Sequence, residues 1–171
     1  MSFKSYLKFL LKSTNQHGVH SPFVYSFVTR CLYNKQLVTK KELIAPIPTL
    51  SQRQQLLLLK IIRYFKVKTI FTDDENLNKL ISAEHNCTIL TQLNTFPDCI
   101  FINCPAEGIS NYINYMQNDS ILIVNNIHQR RNKKLWQELL SHPKVTASID
   151  VYWQGYIFIR KEQPKQVFFI R

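Results

Sequence analysis

Glycine is scarce. The 171-residue chain has three, Gly18, Gly108 and Gly155. None stands where a nucleotide-binding fold places its bare backbone turn, so the sequence argues against a Gly-rich phosphate-cradling loop. Cysteine pairs are missing too: Cys31, Cys87, Cys99 and Cys104 form no C-x-x-C. They read as reduced, mostly core thiols, which makes a cytoplasmic location the expectation. No apolar run reaches the ~20 residues that span a bilayer. The first residues carry lysine at every fourth position and no small-residue cleavage site, which argues against a signal peptide. Acids are nearly absent early: residues 1–66 hold eleven Lys/Arg and a single acid, Glu42.

What is present is a core-former's composition. Hydrophobic residues make up 45% and aromatics 12%, which excludes general disorder. The length fits one domain spanning 1–171. The net charge of +11 is uneven: residues 1–66 carry +10, residues 67–128 carry −5 and residues 129–171 carry +6. A basic N-terminal layer over a neutral-to-acidic core is suited to phosphates or anionic lipid, although a solvated helical face has the same composition.

The apolar spacing predicts a helix over residues 2–12, with Phe3, Tyr6, Leu7, Leu10 and Leu11 on one side and Lys4, Lys8 and Lys12 on another. Ser21-Pro22 predicts a capped helix running to about Tyr33. Ala45–Pro48 reads as an extended linker, and Thr49 or Ser51 caps a helix ending at Phe65. From Val67 the rhythm changes to alternating strands and helices, as in a parallel sheet. Strands are predicted over Val67–Thr72, Cys87–Thr91, Asp98–Asn103 and Ser120–Asn125. Helices are predicted over Glu75–Glu84, Ile109–Met116 and Arg130–Leu140, the last ended by His142-Pro143. Val145–Trp153 and Gly155–Arg160 read as an antiparallel hairpin, and Gln166–Ile170 as a final strand. One join is short. About six residues, Gln92–Pro97, link two strands expected to be parallel, where a dozen or more is usual. Either the strands are not neighbours or a crossover has been deleted.

Three stretches carry a family likeness. His17-Gly-Val-His-Ser-Pro-Phe-Val-Tyr25 resembles the N-terminal signature of bacterial class I S-adenosylmethionine-dependent methyltransferase-like proteins. His142–Asp150, with Trp153, Gly155 and Arg160-Lys-Glu-Gln163, is similar to that group's C-terminal hairpin. Ser120–His128 looks like its fifth strand and following turn. Together they cover about half the chain. The resemblance implies a three-layer, Rossmann-like α/β fold of class I methyltransferase type. The sheet would be mostly parallel with a C-terminal antiparallel hairpin. Residues 1–66 would be a helical N-terminal layer, and 67–171 a reduced core.

The stretches that would carry chemistry depart from the family. It implies a Glu-x-Gly-x-x-x-Gly type loop after strand one, where this chain has Phe71-Thr-Asp-Asp-Glu-Asn76. Side chains at those positions crowd a ligand. Asp73, Asp74 and Glu75 also oppose the cofactor's own carboxylate. Gln92 stands where the resemblance implies a ribose-binding acid, which loses charge assistance. Asn103, Asn125 and Asn126 stand where metal-dependent relatives hold magnesium, and three neutral amides do not balance a hard dication. Thr72, Asp73, Gln92, Asn103, Asn125 and Asn126 are therefore vestigial pocket positions, with no metal expected.

The surviving polar residues have plain alternatives. His17 and His20 would need His128 to complete a metal set, whereas loop hydrogen bonds account for them more simply. His128, after an apolar strand, is a candidate remnant of a catalytic residue. Cys104 beside Pro105 has no adjacent base. Arg130, Arg131, Lys133 and Lys134 put positive charge at a helix start, where it is locally unfavourable. Tyr152, Trp153, Tyr156, Phe158, Phe168 and Phe169 read as sheet core or a dimer face. The leading expectation is a degenerate, non-catalytic methyltransferase-like protein acting through a protein partner or a second copy, with no cofactor. The alternatives are an active S-adenosylmethionine-dependent methyltransferase with an atypical pocket, and a basic module for nucleic acid or an anionic membrane surface.

Overall fold

The computed structural model describes residues 3–43, 47–81, 84 and 86–171. Helix α1 (Phe3–Lys12) follows the predicted amphipathic span. Ser21 caps α2 (Pro22–Ser26), its hydroxyl accepting from the Val24 N–H at 3.3 Å, with Pro22 in the first turn. The helix expected to reach Tyr33 changes its winding: Phe27–Leu32 is π-helical, and the Tyr33 N–H bonds the Val28 carbonyl five residues back. Phe27, Val28, Cys31 and Leu32 are all buried by it. The Lys60 ammonium donates to the Leu32 carbonyl at 2.9 Å, a cation placed at the negative end of that turn.

Helix α3 (Gln52–Phe65) starts with a Ser51/Gln54 capping box and stops where Lys66 turns left-handed at φ 52°. That stop uses residues 66–68, so β1 is Thr69–Thr72 rather than starting at Val67. The predicted linker is described only at Ile47 and Pro48; Ala45 and Pro46 lie outside the described residues. The helix expected over Glu75–Glu84 is a 3₁₀ turn, Glu75–Leu77, running into α4 (Asn78–Ile81), with Ser82 and Ala83 outside the described residues. Strands β2 (Thr88–Leu90), β3 (Cys99–Ile102) and β4 (Ile121–Asn125) follow. The helix expected over Ile109–Met116 is 3₁₀ from Ile109 to Tyr115, entered through left-handed Gly108 at φ 80°. Helix α5 is Lys133–Ser141, so Arg130 and Arg131 precede it in a turn. The hairpin is β5 (Ala147–Asp150) and β6 (Gln154–Phe158), and β7 is Gln166–Phe169.

Among the described residues, seven strands form one mixed sheet in the order β2-β1-β3-β4-β6-β5-β7. Only β6 runs against its neighbours, pairing antiparallel with β4 and β5. This resolves the short join: β2 and β3 flank β1 and never touch. With strands of three and four residues, an extended link returns across one face without a helix. Leu93 in that link packs into the apolar cluster on its side.

Alternation along the strands feeds two cores. Cys99, Phe101, Ile121, Ile123, Tyr156 and Phe158 face the cluster made with α2, the π turn and α3. Ile100, Ile102, Leu122, Val124 and Ile157 face the cluster made with residues 109–116 and α5. Both faces are thus covered, as a sheet with parallel centre strands requires. On the second face the Trp136 indole packs against Gly155, whose position would put any added Cβ 2.4 Å from it.

The two family-like stretches from opposite ends of the chain meet. Ser21 Oγ donates to Gln163 Oε1 at 2.8 Å, Phe23 packs edge-on to Phe158 at 4.9 Å, and the Arg160 guanidinium stacks 4.3 Å over Phe23. Thr14 bridges Ile170 in parallel, and Tyr33 Oη donates to the Arg171 carbonyl. Residues 14–33 thus form a structural strap against the C-terminal strands. Among the described residues, no helix is long and apolar enough to cross a membrane.

Candidate functional site

Strands β1, β3 and β4 are parallel, so their C-terminal ends share one edge, the usual place for an α/β site. Thr72 ends β1, and its hydroxyl accepts from the Asp74 N–H at 3.1 Å. The Asp73 carboxylate, exposed on one side, accepts from the backbone N–H groups of Asn103 at 2.7 Å and Cys104 at 2.9 Å. It thereby caps the C-terminal end of β3. Asp74 is buried and accepts from Thr49 Oγ1 at 2.5 Å, Asn103 Nδ2 at 2.7 Å, and both nitrogens of Asn76 at 2.9–3.0 Å. Burial works against its ionisation, but the bonds from Thr49, Asn76 and Asn103 outweigh burial and hold it below the usual aspartate value.

The chain of bonds continues inward. Asn125 Nδ2 donates to Asn103 Oδ1 at 2.9 Å. Asn125 Oδ1 is fully buried and has no hydrogen-bond partner among the described residues. Asn126, left-handed at φ 56°, turns away into a second amide group. Its Oδ1 accepts from Gln54 Nε2 at 3.2 Å and its carbonyl from Asn132 Nδ2 at 3.1 Å. Thr72, Asp73, Asn103 and Asn125 therefore come together, while Asn126 belongs to the neighbouring cluster. Gln92 is exposed, two residues past β2, and no hydrogen bond ties it to this edge among the described residues.

Beside Asp73 lies a shallow cleft of about 430 Å³, lined in part by Cys104, Glu107, Asn111, Tyr112 and Tyr115. Burial, and after it the Asp73 charge, raises the Tyr112 phenol above its ordinary value, so Tyr112 remains a neutral donor at pH 7.

His128 sits elsewhere on the same edge, because β5 runs parallel to β4 on the far side of β6. Its Nε2 is 2.7 Å from Asp150 Oδ2, and its ring stacks on Tyr152 at 4.7 Å. Asp150 also accepts from the Tyr152 N–H at 2.7 Å. The pair walls a cleft of about 580 Å³ between α1 and α5, which has an apolar floor of Phe9, Ile127 and Trp136. The three histidines do not converge: His17 and His20 are exposed in their loop. Among the described residues no group of three or more His, Cys, Asp or Glu is placed to hold a metal ion.

Thr49, Gln54 and Asp150 are contributors that sequence reasoning missed. Thr49 and Gln54 reach the edge from the start of α3, 25 and 72 residues from the partners they bond. Asp150 carried one weak signal, an acid closing an otherwise uncharged, fully buried strand. No protein-family model matches the sequence, and no curated protein matches it.

Proposed function

We propose that the chain is a degenerate class I S-adenosylmethionine-dependent methyltransferase-like protein that does not catalyse methyl transfer and acts by binding a protein partner or a second copy. The strand order supports this reading. Deleting the third strand from the doubly wound order 3-2-1-4-5-6 leaves the run seen here as β2-β1-β3-β4, and the Gln92–Pro97 link stands where that strand and its helices would be.

One observation carries the loss of function: the turn after β1 is closed by its own side chains. Asp73 is committed to the Asn103 and Cys104 backbone, and Asp74 to Thr49, Asn76 and Asn103. S-adenosylmethionine does not fit these residues. The turn has no glycine to admit a ligand against the backbone, and its acids face the cofactor's carboxylate. The amides at Asn103 and Asn125 bond each other instead of opening towards the edge.

The test is thermal unfolding with S-adenosylmethionine and its demethylated product at millimolar concentration. No shift is expected. A ligand at ~100 times its Kd adds about 2.7 kcal/mol, or roughly 5–10 °C for a domain of this size. A shift of that order with either compound overturns the reading in favour of a surviving methyltransferase.

A further inference from the structure

Helix α1 has three faces. Tyr6 and Phe9 form the docked seam, packing at 4.8 Å and 5.4 Å on the Tyr152 ring. The second face stays in water: Phe3 is 81% exposed, Leu7 49% and Leu11 81%. These residues lie four apart, so they form one continuous apolar stripe. The third face is Lys4, Lys8 and Lys12, also four apart, exposed, and one position round from the stripe. Lys133, from the start of α5, lines the same cleft as Lys8, Leu11 and Lys12. Among the described residues no carboxylate pairs with any of these four lysines. No acid occurs before Glu42, which is itself engaged by Arg63 at 2.6 Å.

We infer that α1 is an interfacial helix that seats the protein on an anionic lipid bilayer. A bilayer surface is the partner that rewards both stripes at once. Apolar side chains enter the headgroup–acyl boundary to a depth of roughly 5–10 Å, and the adjoining lysines meet lipid phosphates. Duplex nucleic acid would reward the lysines and leave Leu7 and Leu11 in water. A second copy docked stripe to stripe would bring two lysine rows together with no acid to offset them. The bilayer seat is independent of the methyltransferase-like reading, since it uses no residue of the β1–β3–β4 edge.

The experiment is vesicle flotation with the full chain. It compares phosphatidylcholine vesicles with vesicles containing phosphatidylglycerol, at low and high salt. A triple variant (Lys4→Gln, Lys8→Gln, Lys12→Gln) and a double variant (Leu7→Ser, Leu11→Ser) are run beside it. Both variants change only exposed side chains, and their melting points should match that of the unaltered protein. Binding is expected on anionic vesicles alone and weakens with salt. At about fivefold per lysine near a charged surface, the triple variant loses on the order of a hundredfold. The double variant loses binding even at low salt. Four results overturn the inference: no binding to anionic vesicles, equal binding to neutral ones, an α1-dependent dimer without lipid, or tight duplex binding that the double variant leaves untouched.

Discussion

Replacing Asp74 with asparagine tests whether the β1 turn is closed by charge. The carboxylate receives four donors, from Thr49, Asn103 and both nitrogens of Asn76. An amide of the same shape turns one acceptor into a donor, whichever way it faces. If the new NH₂ faces Asn103, that side chain must flip, and Asn125 must flip with it to keep their mutual bond. Asn125 is free to do so because its outer oxygen bonds no described residue. The relay therefore reverses as a unit, and the loss is mainly charge assistance, about 2–4 kcal/mol. Asp74→Ala strands all four donors and costs about 3–5 kcal/mol. Urea unfolding at stepped pH reads both. The folded Asp74 titrates below its unfolded value of about 3.9, so its contribution is complete above that pH and disappears as pH falls through the folded value. The asparagine variant has no such contribution to lose, so its deficit at pH 7 must shrink with acid. Other carboxylates cancel in the difference, Glu42 among them, which backbone and side-chain bonds from Thr39 and Arg63 lower to about 2. A deficit that is constant from neutral to acid pH, or absent at pH 7, would refute the reasoning.

Gly155→Ala should lower stability by about 1–3 kcal/mol, because the new methyl meets the Trp136 indole at 2.4 Å. Adding Trp136→Phe should recover part of that loss, and a double-mutant cycle with no coupling would show that the two do not compete for space. Thiol titration at mildly alkaline pH should find Cys104 fast, since it alone of the four is exposed. Burial lifts Cys87 to about 11 and Cys31 to about 12, and puts fully buried Cys99 well above its usual value. Cys31 and Cys99 should therefore react only on unfolding, and fast modification of either would contradict their burial.

The strands were legible as short apolar runs because both of their faces are buried, and α3 because a serine cap precedes its apolar stripe. The winding of Phe27–Leu32 and of Ile109–Tyr115 was not legible. Apolar spacing announces a helix but not which carbonyl each N–H will choose. The short join after β2 was read as a topological problem, and its resolution, β1 lying between the two strands, was one of the alternatives the sequence left open. Within the candidate site, Asn103 and Asn125 were singled out by the family resemblance. Their coupling to Thr49 was not, because that contact depends on where α3 lands against the sheet. His128 was singled out without its partner, since 22 residues and a whole helix separate it from Asp150.

The strap between residues 14–33 and 156–171 sets an order of events during synthesis. Ser21 and Gln163 are separated by 142 positions, so the ribosome must have made everything between them before this bond can close. Until then Phe23 and Phe27 lack the Phe158 ring that covers them. The nascent N-terminal helices must wait with their greasy sides open, and it is the arrival of β6 that releases them into place.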